Sequence, residues 1–335
     1  MVNRRNFLRA TTILAMSPVI SHCSNPDVVI MNELPLSTFN KNSTAEEVTA
    51  NQDLTGKIAV VTGCNSGIGY ETMRVLALRG AHVIGTGRNM DKAVNACKSV
   101  GGRTSPVVLE LSEFQSAVDC SNIISDMVPH VDILVGNAGM IAGPVLEQVN
   151  NIEKTFAVNH LGHFIFINRL LHKVKAAPQG RVVMVSSGAA FGSDGIEFDN
   201  LSGKRKYGER RAYSQSKLAN ALFSLELARK LDGTAATANS LHPGVIKTNI
   251  ARNEPWYIRM LFTLGTPFYK SIQQGAATSC YVATSPLLSQ VSGYFFMDCN
   301  PIKLSGTGHL YDYAMARELW DVSEQLTESY INKSG

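Results

Sequence analysis

Tyr213 and Lys217 stand four residues apart in the run Tyr213-Ser-Gln-Ser-Lys217, downstream of a glycine-rich turn, Thr62 to Gly69. On a helix, positions i and i+4 share a face, so the ammonium can lie under the phenol and stabilise its deprotonated form, which is acid/base chemistry. A free phenol ionises near pH 10, so only about a thousandth is phenolate at neutrality, and tuning it to about 7 takes roughly 4 kcal/mol. One positive charge about 4 Å away in a partly screened site supplies roughly that much. Alone, the pair is weak: a chain with 10 Tyr and 31 Lys plus Arg shows roughly one such spacing by chance. The bland alternative is an exposed helical pair.

Weight comes from the elements that must position the pair. From Lys57 onward, short apolar runs alternate with helical patterns, the signature of a parallel sheet covered on both faces. Strands are predicted at 58–62, 82–86, 106–109, 131–135, 181–185, 237–241 and 293–297, and helices at 67–79, 112–127, 148–175, 211–231 and 311–326. These describe a Rossmann-type α/β fold, a doubly wound and mostly parallel seven-stranded sheet with helices on both faces. In such sheets ligands sit beyond the carboxyl ends of the strands, and the motifs of this chain fall there.

The turn Thr62-Gly63-Cys64-Asn65-Ser66-Gly67-Ile68-Gly69 follows the first of these strands and opens the first helix. Gly63 permits the tight turn, Gly67 lets the backbone approach a pyrophosphate, and Gly69 lets helix and strand pack closely, while the helix N-terminus faces the phosphates. A lone glycine pattern is weak, but a strand before it and a helix after it make it specific. An acid about 20 residues on would hold the ribose 2′-hydroxyl of NAD. That place reads Gly87-Arg88. With no carboxylate to repel a 2′-phosphate and a guanidinium placed to grip one, NADP(H) is favoured over NAD(H), unless Arg88 is only a solvated loop residue.

The remaining composition excludes more than it assigns. At 335 residues, 44% of them hydrophobic and 17% charged, the chain can bury one large α/β domain. The net charge is +4, and the densest basic run, Lys204 to Lys206 with Arg210 and Arg211, is interrupted and lacks interleaved aromatics, so a nucleic-acid role is disfavoured. Six scattered cysteines form no CxxC pair, so neither a disulfide framework nor a metal site is expected. His160 and His163 lack an accompanying acid or thiol and read as packing or hydrogen-bonding residues. At the N-terminus, Asn3-Arg4-Arg5-Asn6-Phe7-Leu8-Arg9 precedes the apolar run Ala10 to Ile20, the layout of an export signal resembling the twin-arginine type; a frayed cytoplasmic terminus is the alternative. Cys23 is a candidate lipidation site, although His22 departs from the small residue usual before such a cysteine. The expected organisation is a signal segment at 1–23, a linker at 24–52 and one nucleotide-binding domain at 53–335, with no second membrane span.

Six motifs in order, TGCNSGIG from Thr62, GNAG from Gly136, VNHLGHF from Val158, VSS from Val185, YSQSKLAN from Tyr213 and HPGVIKT from His242, resemble the short-chain dehydrogenase/reductase superfamily across Leu54 to Leu326. The chain looks most like its retinol-dehydrogenase and WW-domain-oxidoreductase branch. The resemblance implies that Tyr213 gives or takes the proton. Lys217 would lower its pKa and bond the nicotinamide ribose, Ser187 would bond the substrate oxygen, and Asn159 would bend a helix and hold a water linking Lys217 to solvent. It further implies that Asn137, Ala138 and Gly139 brace the sheet and contact the adenosine ribose, that Glu110 and Leu111 lie beside the adenine, and that Pro243, Gly244, Val245 and Thr248 hold the nicotinamide. Hydride would pass between NADPH and a carbonyl carbon while Tyr213 handles the proton on oxygen.

The chain departs from the family pattern in places. Gly136 replaces the usual first asparagine of NNAG, Glu110 stands where aspartate is usual, and Ser186 competes with Ser187, the serine the family uses. The separation of 26 positions between Ser187 and Tyr213 is longer than in many relatives. Between the nicotinamide segment and the last predicted strand, Trp256 to Leu264 with Phe268 and Tyr269 is apolar and aromatic. It reads as a cover over a lipophilic carbonyl or alcohol, as a helix packed on the core or a partner subunit, or as a peripheral membrane contact. Oligomeric state is open, though in many relatives the two long helices build a homodimer interface. Two other readings stand against this one: an epimerase or dehydratase, disfavoured by TGxxxGIG spacing, and a non-catalytic dinucleotide sensor, disfavoured because Ser187, Tyr213, Lys217 and Asn159 are all retained.

Overall fold

The computed structural model describes residues 27–246, 269–306 and 308–331. The expected signal segment, Cys23, Thr248 and the apolar stretch 256–268 lie outside the described residues.

Seven strands arise where apolar runs predict them: β2 Ile58–Val61, β3 His82–Gly87, β4 Thr104–Val108, β5 Ile133–Gly136, β8 Arg181–Val185, β9 Thr237–His242 and β10 Phe295–Met297. Most of their residues are buried on both faces, which is why they read as continuous apolar runs rather than alternating ones. Among the described residues the sheet has nine strands, not seven; with β1 (Val28–Ile30) and β11 (Asn300–Leu304) the order is β1-β11-β10-β9-β8-β5-β2-β3-β4. The two extra strands, β11 Asn300–Leu304 and the edge strand β1 Val28–Ile30, pair antiparallel to their neighbours. Both escape the sequence pattern for physical reasons. Proline and asparagine break up β11, β1 is three exposed residues, and the turn before β11 is Asp298-Cys299 without the glycine that marks most tight hairpins.

Chain order reverses between β2 and β5: β3 and β4 lie on one side, and β8, β9 and β10 on the other. The crevice at that switch point is where a doubly wound sheet receives ligands.

The long helix expected over 148–175 is divided. Gln148–Val149 (β6) and Ile152–Glu153 (β7) form a small hairpin whose turn residues Asn150 and Asn151 take left-handed conformations (φ 49° and 62°). The Glu153 carboxylate then accepts from the Thr155 and Phe156 amides to start the short helix Lys154–Phe156. A π-turn follows at Ala157–Leu161, and the helix Gly162–Lys175 completes the element. Two helices lacked a clear signal: Met90–Lys98, capped by Asn89, and Ile272–Thr284, started by a Ser271/Gln274 capping box. The helix Gly67–Leu78 closely follows its predicted range.

The stretch read as a linker is part of the fold. Thr44 and Glu47 make a capping box for the helix Ala45–Val48, Glu46 of that helix pairs with Arg74 at 2.5 Å, and the Ser37 amide donates to Asn300 Oδ1 at 3.0 Å. Its polar composition hides this order, because much of it is made by polar contacts rather than by an apolar period.

The helix Glu209–Lys230 carries Tyr213 and Lys217 and is buried without a break from Gln215 to Leu227. The C-terminal helix Tyr313–Ile331 contributes to that burial: Trp320 stacks on Phe223 (5.5 Å, 3°) and meets Phe164 edge-on at 4.9 Å, and Ser323 hydrogen-bonds His160 at 2.8 Å. The helices 162–175 and 209–230 thus both meet a third helix of their own chain. None of the described helices is long and apolar enough to cross a membrane.

Candidate active site

The glycine turn leaves β2 at Thr62. Gly63 has φ 73°, and a Cβ there would come within 3.1 Å of Ala138. A Cβ on Gly69 would lie 2.3 Å from Asn137 Nδ2 and 2.4 Å from the Gly63 carbonyl oxygen, so only glycine lets the helix 67–78 approach this closely. Gly67 has φ 62° with nothing within 4 Å of the missing Cβ, and Ser66 at the N-cap makes no side-chain capping bond. The helix therefore opens with unsatisfied amides at a free cradle, which fits a phosphate. Asn65 packs against Gly87, Ile68 lies near Gly275, and Arg88 is exposed just beyond β3.

Thr62 ties this turn to the end of β5. Its Oγ1 accepts from the Asn137 and Ala138 amides, both at 2.9 Å, and its carbonyl accepts from Asn137 Nδ2 at 2.8 Å. The one hydroxyl proton is then free for His163 Nε2 at 3.0 Å, which leaves the ring proton on Nδ1, donated to the Asn159 carbonyl at 3.0 Å. Burial holds His163 neutral, its pKa lowered to about 4. His160 and His163 are thus hydrogen-bonding residues, as their lack of acid or thiol company predicts. At Gly136, a Cβ would collide with Met184 Sδ and crowd His163, which accounts for glycine in place of the family's asparagine.

Asn159 sits in the π-turn with its amide bound at both ends. Oδ1 accepts from the Met140 amide (2.8 Å), and Nδ2 donates to the Met140 carbonyl (2.9 Å) and to Ser216 Oγ (3.0 Å). Lys217 is buried, donates to the Val185 carbonyl at 3.1 Å, and lies 5.7 Å from the Tyr213 ring centroid. A Cβ on Gly139 would stand 3.2 Å from Lys217 Nζ and 3.4 Å from Asn159 Oδ1, so β5, the π-turn and the helix 209–230 converge on one spot.

The two serines divide the work. Ser186 Oγ is buried and donates to the Lys217 carbonyl at 2.6 Å. Ser187 caps the turn Gly188–Gly192 and accepts from the Ala189 amide at 3.2 Å, and its hydroxyl acts to lower the Tyr213 phenol.

Burial is the leading electrostatic influence on both partners of the pair. It pushes the Tyr213 phenol above its ordinary value, and the Ser187 hydroxyl pulls it only partly back. Lys217, meant to lower it, is itself driven down by burial to about 8. With the ammonium 5.7 Å from the ring centroid and its own charge penalised, desolvation outweighs attraction. The resting site therefore holds a neutral phenol beside a mostly charged lysine.

The outer positions are less uniform. The Glu110 carboxylate turns to Ser112, accepting from its amide (3.0 Å) and hydroxyl (2.8 Å). Leu111 is buried with its side chain against Gly162. After β9 come Pro243, Gly244 (φ 94°) and the exposed Val245. Sequence reasoning missed the roles of the Thr62 side chain, Lys270 and Asp298, whose side-chain partners lie far away in the chain. A cavity of about 410 Å³ beside the site is lined by Ser193 to Glu197, Lys206, Arg210 and Ser214, part of the long loop after Ser187. Among the described residues, Cys64, Cys97, Cys120, Cys280 and Cys299 are free and buried, and no group of three or more His, Cys, Asp or Glu residues could hold a metal ion.

Comparison with known proteins places this geometry. A family model described as short chain dehydrogenase matches residues 57–256. The chain is 40% identical over 308 residues to short-chain dehydrogenase TIC 32 A, chloroplastic, of Brassica napus, covering 88% of this chain and 95% of that protein. It is 38% identical over 293 residues to human retinol dehydrogenase 14, covering 81% and 86%. A crystal structure of a protein from Mycobacterium paratuberculosis aligns with TM-score 0.67 at 32% identity over 86% of this chain and 98% of that one. With its family motifs gathered at the carboxyl edge of the sheet, the chain belongs to the short-chain dehydrogenase/reductase superfamily, in the branch of the retinol dehydrogenases and WW domain-containing oxidoreductases.

Proposed function

We propose that this oxidoreductase uses NADP(H) to interconvert a lipophilic carbonyl compound and its alcohol, with Tyr213, Ser187, Lys217 and Asn159 as the working side chains. The observation that carries the reading is the convergence of Tyr213 with the buried Lys217 and Asn159, in a fold whose glycine turn leaves an open anion cradle. When bound, the dinucleotide supplies or accepts the hydride. Tyr213 donates its proton to the substrate oxygen during reduction and takes it back during oxidation. The Ser187 hydroxyl steadies the charge that develops on that oxygen, Lys217 favours the tyrosinate left behind, and Asn159 fixes the π-turn beside Lys217. Because the resting phenol is neutral, reduction starts from the protonation state the site already holds.

Arg88, exposed beyond β3 with no acid at that strand end, supports NADP(H). Kinship to retinol dehydrogenase 14 supports a lipophilic substrate. The Arg4-Arg5 leader fits export of a folded, dinucleotide-loaded protein, and fractionation of cells expressing the full chain tests it, a wholly cytoplasmic and uncleaved product opposing export.

The central test is NADPH oxidation against a panel of aldehydes, ketones and quinones with the wild type and Tyr213→Phe. Turnover should fall by about 10²–10⁴-fold in the variant, with NADPH affinity nearly unchanged. Wild-type turnover by the variant on a confirmed substrate would refute the assignment.

A further inference from the structure

The turn between β10 and β11 holds two residues, Asp298 (φ 52°) and Cys299 (φ 64°), both in left-handed backbone that is normally left to glycine or asparagine. The Asp298 carboxylate reaches Lys270 Nζ at 2.5 Å, with only 12% of the lysine side chain exposed. Lys270 in turn lies across the turn after β9. A Cβ on Gly244 would stand 2.5 Å from Lys270 Cδ and 2.8 Å from Cε, the Lys270 amide donates to the Val245 carbonyl at 2.9 Å, and Ile246 bridges to Lys270.

The same pair borders His242, the last residue of β9. The Gly188 amide donates to His242 Nδ1 at 2.9 Å, next to Ser187, so that nitrogen carries no proton. Burial, and after it the Lys270 charge, holds this ring neutral, with Asp298 opposing. A hairpin that only joined two strands would accept glycine at Asp298 with less strain. Strain kept under a carboxylate aimed at a largely covered lysine calls for a function.

We propose that Lys270 and Asp298 are positioning residues for dinucleotide: Asp298 anchors Lys270, whose stem and amide fix the turn Pro243 to Val245. This rests on the dinucleotide reading above. Neither residue touches the reacting atoms; they set the shape of the turn that meets the nicotinamide end. Lys270→Met keeps the apolar stem over Gly244 and removes the charge. Asp298→Asn keeps a residue that tolerates the left-handed backbone, and Asp298→Gly relieves the strain as well.

The test uses the full chain, with NADPH affinity from fluorescence titration, apoprotein melting temperature, and kcat and KM on any active carbonyl. Lys270→Met and Asp298→Asn should each weaken NADPH binding about tenfold, and the double variant should be no worse than either single, because both remove one interaction. KM for NADPH should rise while kcat stays within about twofold. Asp298→Gly should bind as weakly, yet melt no lower than wild type. Binding within twofold of wild type in both charge variants overturns the proposal, as does a loss of binding matched by a comparable loss of apoprotein stability. If wild type itself binds neither NADPH nor NADH, the dinucleotide reading falls too; normal binding by wild type and the charge variants alike sinks only this inference.

Discussion

Burying Lys217 beside the phenol has a cost that can be measured without any substrate. The side chain is buried and its pKa falls from 10.5 to about 8, with desolvation as the cause. At about 1.4 kcal/mol per pH unit, the folded state holds this ammonium at a penalty of about 3 kcal/mol near neutrality. The sign follows from proton counting. Between pH 8 and 10.5 the unfolded chain binds this proton and the folded chain does not, so this contribution to stability rises with pH across that window. Below 8 both states hold the proton and the penalty is complete. Lys217→Met has nearly the same length and no charge. It leaves the Val185 carbonyl with Asn220 at 3.4 Å in place of the 3.1 Å bond from Lys217, an offset of roughly 1 kcal/mol. The apoprotein variant should therefore be about 2 kcal/mol more stable at pH 7, a rise of roughly 3 °C in melting temperature for a chain of this size, while turnover collapses. Melting both proteins at intervals from pH 7 to 10.5 should show the gap shrinking as wild type sheds its buried charge. A variant less stable than wild type at pH 7, or a gap that does not change with pH, would refute the argument that desolvation dominates at Lys217.

Three further outcomes follow from the same geometry. Ser187→Ala should lower kcat by roughly 10–10²-fold with little change in melting, whereas Ser186→Ala, which removes the bond to the Lys217 carbonyl, should cost about 1–2 kcal/mol of stability; the reverse pattern in denaturation and kinetics would exchange their roles. Arg88→Asp should weaken NADPH at least tenfold relative to NADH, and an unchanged ratio of the two dissociation constants would remove Arg88 from the 2′-phosphate site. Because the helix 209–230 is buried along its centre by its own chain, sedimentation should show no dimer resting on that helix, and Trp320→Ala should cost about 3–5 kcal/mol in denaturant; a tight dimer broken by surface changes on helices 162–175 and 209–230 would contradict this packing.

What the sequence made legible is what depends on local pattern. The seven central strands read as apolar runs because parallel strands are buried on both faces, and the glycine turn reads because Gly63 and Gly69 are fixed by contacts within a short βα unit and with β5. What stayed hidden depends on partners far away in the chain. The edge strand 28–30 exists only because β11 is beside it, and β11 follows a turn whose residues, Asp298 and Cys299, carry no hairpin signature. Thr62 and His163 are 101 residues apart, and neither announces a role until the proton count at the Thr62 hydroxyl fixes the tautomer that bonds Asn159. Spacing left one property open. Four residues on a helix bring Lys217 near Tyr213, but burial, which spacing does not report, raises the phenol's pKa. Helical periodicity reports which side chains are neighbours; the dielectric between them is set by whatever the rest of the chain folds over them. The acid/base character of a Tyr-x-x-x-Lys pair thus belongs to the tertiary structure.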